Sequence, residues 1–188
     1  MSISHSWHAY ATHPWGHTVV GDVRTLDSIY SPELRNHRKL YVYLPPSYAQ
    51  SNRRYPVIYM QDGQNLFDQA LSYAGEWQVD ETMELLSGEG IEAIVVGVPN
   101  TGVRRIDEYS PFRDQRLRKG GRGDWYVAFL ANTVKPLIDR DFRTLLISWM
   151  MMGIGNLIAA ALFVEYLANP KHGIGLDADR IAWLTGVI

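Results

Sequence analysis

Two short, largely apolar runs, YPVIYM (55–60) and IEAIVVGVP (91–99), constrain the fold of this chain more than any other feature. Each is too short for a core helix and lacks the alternation of a half-exposed strand, so each reads as a strand buried on both faces. Between them, EWQVDETMELLSGEG (76–90) reads as a helix, with acids in its first turns and Gly88 and Gly90 as stop signals. Upstream, HTVVGDVRTL (17–26) alternates like a strand. RKLYVYLPPSY (38–48) is a denser one stopped by Pro45 and Pro46, and SNRR (51–54) reads as a turn. Downstream, residues 124–142 form a helical pattern with Tyr126, Leu130, Thr133, Val134 and Leu137 on one stripe, kinked near its end by Pro136. Buried strands alternating with helices predict an α/β fold, a mostly parallel sheet flanked by helices.

At 188 residues the chain suits a single domain, with residues 1–16 read as a flexible N-terminal extension. The net charge of −2 provides no basic field to attract nucleic acid or anionic lipid. With no cysteine there is no disulfide, thiolate metal site or thiol nucleophile, and the compartment stays open on that count. The start, MSISHSWHAYATHPWG, has neither the basic beginning nor the apolar core of a secretory signal, so a cytoplasmic location is expected. His5, His8, His13, His17 and His37 show no tight ligand spacing; surface roles, and no metal, are expected.

In sheets of this kind, ligands sit beyond the carboxyl ends of the strands. The corresponding loops here are QDGQNLFD (61–68) and PNTGVRRIDEYSPFRD (99–114), both rich in amide, carboxylate and guanidinium groups. The first lacks the alternating acids of a calcium loop. Residues 100–124 read as a long polar loop carrying Arg104, Arg105, Arg113, Arg116, Arg118 and Arg122, and Asp124 as the cap of the next helix.

LYVYLPPSY, RRYPVIYMQDGQNLFD, VVGVPNTGVRRIDEYSPFRD and GRGDWYVAFLANTVKPLIDRDFRTL, in that order over residues 17–145, resemble the "Putative esterase" family of α/β-hydrolases, related to enterochelin esterase and the esterase D group. The resemblance implies a serine hydrolase acting on a small-molecule ester without a cofactor. Its nucleophile would sit in a G-x-S-x-G elbow, followed in the chain by an acid and then a histidine. It also implies an oxyanion-hole N–H within Gln61, Asp62, Gly63 and Gln64, because fixed backbone donors suit a charge that develops on a carbonyl oxygen. An ordinary Asp-Gly turn is the alternative. Asn100, Arg105, Glu108 and Tyr109 would lie beside the cleft and contact substrate, or Arg105 and Glu108 would pair with each other on the surface.

The pattern breaks at RTLLISWMMMGIGNLIAAAL (143–162), where the family places its elbow. Aligning the segment puts the nucleophile position at Met152 or Gly153, and neither side chain can attack a carbonyl. Ser148 is near, but Ile147 and Trp149 flank it where small residues are required. A competing alignment of DADRIAWLTGVI makes Gly186 the first elbow glycine and puts Ile188 at the serine position. His172 precedes Asp177 and Asp179, the reverse of the family order. The expectation is therefore an esterase-lineage fold incomplete on its C-terminal side, with a divergent tail at 146–188 and no recognisable triad. Apolar edges left by such a sheet would favour self-association. The alternative is a non-catalytic binding or interaction module on the same scaffold. A third reading anchors the tail in a membrane, since Thr144 to Val164 carries no charge and is long enough to span one. Ser148, Gly153, Gly155 and Asn156, and the lack of a basic flank, favour a buried strand and a helix over Leu157 to Leu167 instead. Met150, Met151 and Met152 read as core filler, and MGIGNL lacks the third glycine of a dinucleotide fingerprint.

Overall fold

The computed structural model describes residues 6–11, 16–73 and 75–151. Every described element belongs to one compact unit, Met1–Met151. In chain order, strand β1 (His8–Ala9) is followed by β2 (Asp22–Ser31), β3 (Asn36–Leu44), β4 (Tyr55–Gln61), helix α1 (Val79–Gly88) and β5 (Ile94–Val98). Helix α2 (Arg105–Tyr109), a small hairpin of β6 (Arg113–Asp114) and β7 (Lys119–Gly120), helices α3 (Gly123–Phe129) and α4 (Lys135–Asp141), and β8 (Thr144–Met151) complete it. The main sheet has the order β1-β2-β3-β5-β4-β8. The expected α/β architecture is present, and the described sheet is mixed. β5, β4 and β8 run parallel, while β1, β2, β3 and β5 pair antiparallel in turn.

Side-chain alternation along the strands explains the layering. Tyr55, Val57 and Tyr59 of β4 join Leu40, Val42 and Leu44 of β3 and Ile94, Val96 and Val98 of β5 in a core closed by Tyr126, Phe129, Leu130, Val134, Leu137 and Ile138 of the α3–α4 stretch. The opposite face, with Tyr41, Tyr43 and Val95, packs on Met83 of α1 and on Leu66 and Phe67. Each fully buried Leu or Ile of such layers contributes about 1.5–3 kcal/mol. β5 is buried along its whole length, as expected of a central strand. β4 is not: Pro56, Ile58 and Met60 are only half-buried, Ile58 and Met60 packing partly against the layer that holds Met83.

Several boundaries depart from the sequence pattern. β2 begins at Asp22 rather than His17 and runs on to Ser31 through a bulge in which Asp27 and Ser28 oppose Lys39. The expected N-terminal extension is partly built into the fold: β1 pairs with β2, and the Trp7 indole donates to Asp141 at 2.9 Å while packing edge-on against Phe142. The predicted kink at Pro136 takes the form of a π-helical turn over Leu130–Val134, which relieves the clash and the absent N–H that proline imposes on the preceding turn. Asp124 lies in the first turn of α3, and Arg122, not Asp124, occupies the cap position. The polar stretch 100–124 holds α2 and the β6–β7 hairpin instead of running as one loop. β8 confirms a strand within the uncharged run, whereas Leu157 to Leu167 lie outside the described residues. Among the described residues, no helix is long and apolar enough to cross a membrane.

Candidate active site

β4 ends at Gln61, and the chain turns sharply through Asp62, whose φ of 54° is left-handed. Aspartate tolerates this conformation when its side chain is held locally. The following turn, Gly63–Asn65, lies directly on the end of β5: a Cβ at Gly63 would sit 2.5 Å from the Gly97 carbonyl carbon and 2.6 Å from the Val98 nitrogen. Only glycine permits that approach. The turn closes with Asn65 N–H on the Asp62 carbonyl at 2.8 Å. The N–H groups of Gly63 and Gln64 precede this first bond and have no place in the turn's own pattern.

Asp62 is the centre of the constellation and is only 2% exposed. Arg105 grips its carboxylate with two donors, Nε at 2.9 Å and Nη2 at 2.6 Å. Asn100 Nδ2 donates at 2.6 Å and the Tyr109 hydroxyl at 3.2 Å. The Asp62 N–H in turn donates to the Tyr109 oxygen at 3.3 Å, and the Arg105 guanidinium lies 4.9 Å from the centre of the Tyr109 ring. The Asn100 N–H donates to Gln64 Oε1 at 3.1 Å. Burial works against the charged carboxylate, but the bonds from Arg105, Asn100 and Tyr109 outweigh it, and the Asp62 carboxyl is held below its ordinary value. Burial and the adjacent Asp62 charge push the Tyr109 hydroxyl up. Asp62 is thus a fixed anion saturated with donors, suited to holding backbone in place rather than to accepting a proton.

Arg105 and Glu108 do not pair with each other, contrary to one expectation. They lie on the single-turn helix α2 but face different partners. Glu108 is buried against Arg38 of β3 at 2.7 Å, both side chains being 1% exposed. Arg38 also donates to the Pro99 carbonyl at 2.7 Å and lies 5.3 Å from the Phe129 ring centre. Sequence reasoning missed Arg38. Its signal was a guanidinium within a strand otherwise dense in apolar side chains, where a buried charge requires a partner. Gln61 is buried, and its side-chain carbonyl has no hydrogen-bond partner among the described residues. Gln61, Asp62, Gly63, Gln64, Asn100, Arg105, Glu108 and Tyr109 therefore gather at the carboxyl ends of β4 and β5, with Glu108 underneath as an anchor.

β8 lies parallel to β4, with Ser148 opposite Val57 and Met151 opposite Met60. Ser148 is thus in mid-strand, three residues before the last residue of β8. The end of β8 and the start of the Asp62 turn lie side by side. Met152, Gly153, His172, Asp177, Asp179, Gly186 and Ile188, considered for the elbow and triad, lie outside the described residues. Of the histidines, His8 pairs with Asp27 at 3.0 Å and His37 bonds Ser28 at 2.9 Å, both exposed.

A family model described as "Putative esterase" matches residues 31–156, more than half of the chain. Among curated proteins, the uncharacterized protein YjcH of Bacillus subtilis (strain 168) is 33% identical over 135 residues, covering 71% of this chain and 50% of that protein. The uncharacterized protein YbbA of the same organism is 29% identical over 113 residues, covering 57% of this chain and 41% of that protein. The chain spans about half the length of the curated relatives it matches. Among solved structures, an IroE-like serine hydrolase from Shewanella oneidensis superposes with a TM-score of 0.56 at 23% identity, over 69% of this chain and 42% of that one. Siderophore hydrolase EstB from Aspergillus nidulans superposes with a TM-score of 0.54 at 18% identity, over 88% and 57%. At these identities the likeness shows the fold.

Proposed function

The chain belongs to the "Putative esterase" family, and from that premise we propose that it forms the oxyanion side and substrate cleft of a carboxylic-ester hydrolase scaffold that binds a small-molecule ester. The observation that carries this reading is the register of β8 on β4, Met151 opposite Met60, which brings the end of β8 beside the Asp62–Asn65 turn. When an oxygen nucleophile adds to an ester carbonyl, the π electron pair moves onto the carbonyl oxygen, and N–H groups fixed beforehand stabilise that charge. The Asp62 N–H is engaged by Tyr109, and Gln61 is paired with Val98 in the sheet. The donors assigned to the ester oxygen are therefore the N–H groups of Gly63 and Gln64. Asp62, Asn100, Arg105 and Tyr109 hold that turn rigid, so little reorganisation accompanies charge development.

Neither aligned elbow position, Met152 or Gly153, carries a nucleophile. That favours, as a second reading, a non-catalytic binding module on the same scaffold over a chain that turns over ester by itself. Two measurements test both. Adding a p-nitrophenyl acyl ester is expected to shift the amide resonances of Gly63 and Gln64 in a 15N-labelled sample; shifts confined to other regions would remove the oxyanion assignment. Intact mass after a fluorophosphonate probe is expected to show no stoichiometric adduct, alongside no hydrolysis above buffer. A single mapped adduct, with Ser148 the first place to look, would establish a nucleophile and reject the binding-module reading.

A further inference from the structure

Away from the Asp62 constellation, three carboxylates converge where α1 begins. One oxygen from each of Glu76, Asp80 and Glu81 lies within 4.8 Å of the others. First-turn acids commonly do no more than complement a helix dipole from solvent, but here Asp80 is 0% exposed. The two oxygens held by the protein are specific: Val20 N–H donates to Asp80 Oδ2 at 2.8 Å, and Thr18 Oγ1 donates to Glu76 Oε2 at 2.6 Å. The opposite oxygens, Asp80 Oδ1 and Glu76 Oε1, are buried, as is Glu81 Oε2, and none of the three has a hydrogen-bond partner among the described residues. Among the described residues, no Lys, Arg or His forms an ion pair with the three acids. Buried unpaired carboxylate oxygens are costly.

We propose that Glu76, Asp80 and Glu81 form a Ca2+ site, with Glu76 Oε1, Asp80 Oδ1 and Glu81 Oε2 as ligands. An all-oxygen anionic set selects a hard cation. Ca2+ accepts such sets in flexible geometry at about 2.3–2.6 Å, whereas Mg2+ demands near-ideal octahedral geometry and keeps several of its waters. Oxygens within 4.8 Å of one another can close on one Ca2+ ion. The site is tied to the cleft by backbone: Trp77 N–H donates to the Asn65 carbonyl at 2.8 Å and Val79 N–H to the Leu66 carbonyl at 3.0 Å. A cation here braces the segment that follows the Asp62 turn, although its binding does not depend on any esterase activity. It also departs from the absence of a metal expected from histidine spacing.

The test uses the full chain, freed of metal with EDTA and dialysed. Calorimetric titration with CaCl2 is expected to show one ion per chain, and Tb3+ luminescence sensitised through Trp77 is expected to be displaced by Ca2+. At free Ca2+ about 100 times Kd, linkage raises Tm by about 5–10 °C for a chain of this size. Asp80→Asn and Glu81→Gln are each expected to weaken binding by about tenfold or more. Both are also expected to raise the Tm of the calcium-free chain by removing repulsion, with circular dichroism unchanged. Should Asp80→Asn fail to fold, Glu81→Gln decides. Absence of heat, of Tb3+ luminescence and of any Tm response at millimolar Ca2+ would overturn the site and leave the carboxylates sharing a proton. Calcium binding unaltered in the folded variants would overturn it equally.

Discussion

Gly63 and Asp62 show how little latitude the turn after β4 has. Any side chain at Gly63 must displace the backbone of β5, since the nearest atoms belong to Gly97, Val98 and Pro99. Gly63→Ala is accordingly expected to cost about 2–3 kcal/mol, read as a lowered urea midpoint at unchanged slope. Asp62 carries a testable pH signature. Its carboxyl is held lower in the folded chain than in the unfolded one, so the unfolded state takes up the proton first as pH falls. Its stabilising contribution is full above the ordinary carboxylate value of about 4, and it is lost as pH descends through the folded value. A Tm profile from pH 7 to 3 should fall below about pH 4, and Asp62→Asn should flatten part of that fall. A profile with the same slope in both proteins would deny Asp62 the role of a fixed anion. The D-G pair and the Arg105, Glu108 and Tyr109 cluster were legible as site candidates from residue type and loop position. Their partners were not, because hydrogen bonds between residues 38 and 108, or 62 and 105, leave no mark in local sequence.

At the scale of elements, α2 illustrates the same limit. Five residues are too few for a helix to persist alone in water. It persists because Glu108 is buried on Arg38 of β3 while Arg105 and Tyr109 reach Asp62 at the end of β4. Replacing Glu108 by Gln leaves the Arg38 charge buried without its partner, a change expected to cost about 3–5 kcal/mol. Amide exchange should accelerate first in residues 105–110, and the double variant Arg38→Met, Glu108→Leu should recover part of the loss. If exchange rises uniformly instead, α2 is not a separately anchored unit. A second element lesson lies in the α3–α4 stretch. The stripe of Tyr126, Leu130, Val134 and Leu137 identified the buried face, but accommodation of Pro136 by a π turn depends on how the helix must bend over the sheet.

For the molecule as a whole, the strand order β2-β3-β5-β4-β8 places the two loops rich in polar groups at neighbouring strand ends, where an α/β sheet collects ligands. Two places carry different functions in the readings proposed above, an ester cleft at the carboxyl ends of β4 and β5 and a calcium site at the start of α1. They meet in the Asn65–Trp77 and Leu66–Val79 backbone bonds. Calcium should therefore slow amide exchange in residues 62–66 as well as in α1; protection confined to α1 would mean that the two sites are uncoupled. The amino-acid sequence alone determined the main strands β2, β3, β4 and β5, the helices over α1 and α3–α4, the family, and the absence of a serine at the aligned elbow positions, since these are written in local pattern and residue identity. Only the tertiary structure decided that the sheet is mixed, that Arg105 pairs with Asp62 and Glu108 with Arg38, and that three helix-start acids bury bare oxygens against one another. The physical reason is that pairing of strands and charges distant in the chain is selected by burial, where an unpaired charge or peptide group is too costly to persist.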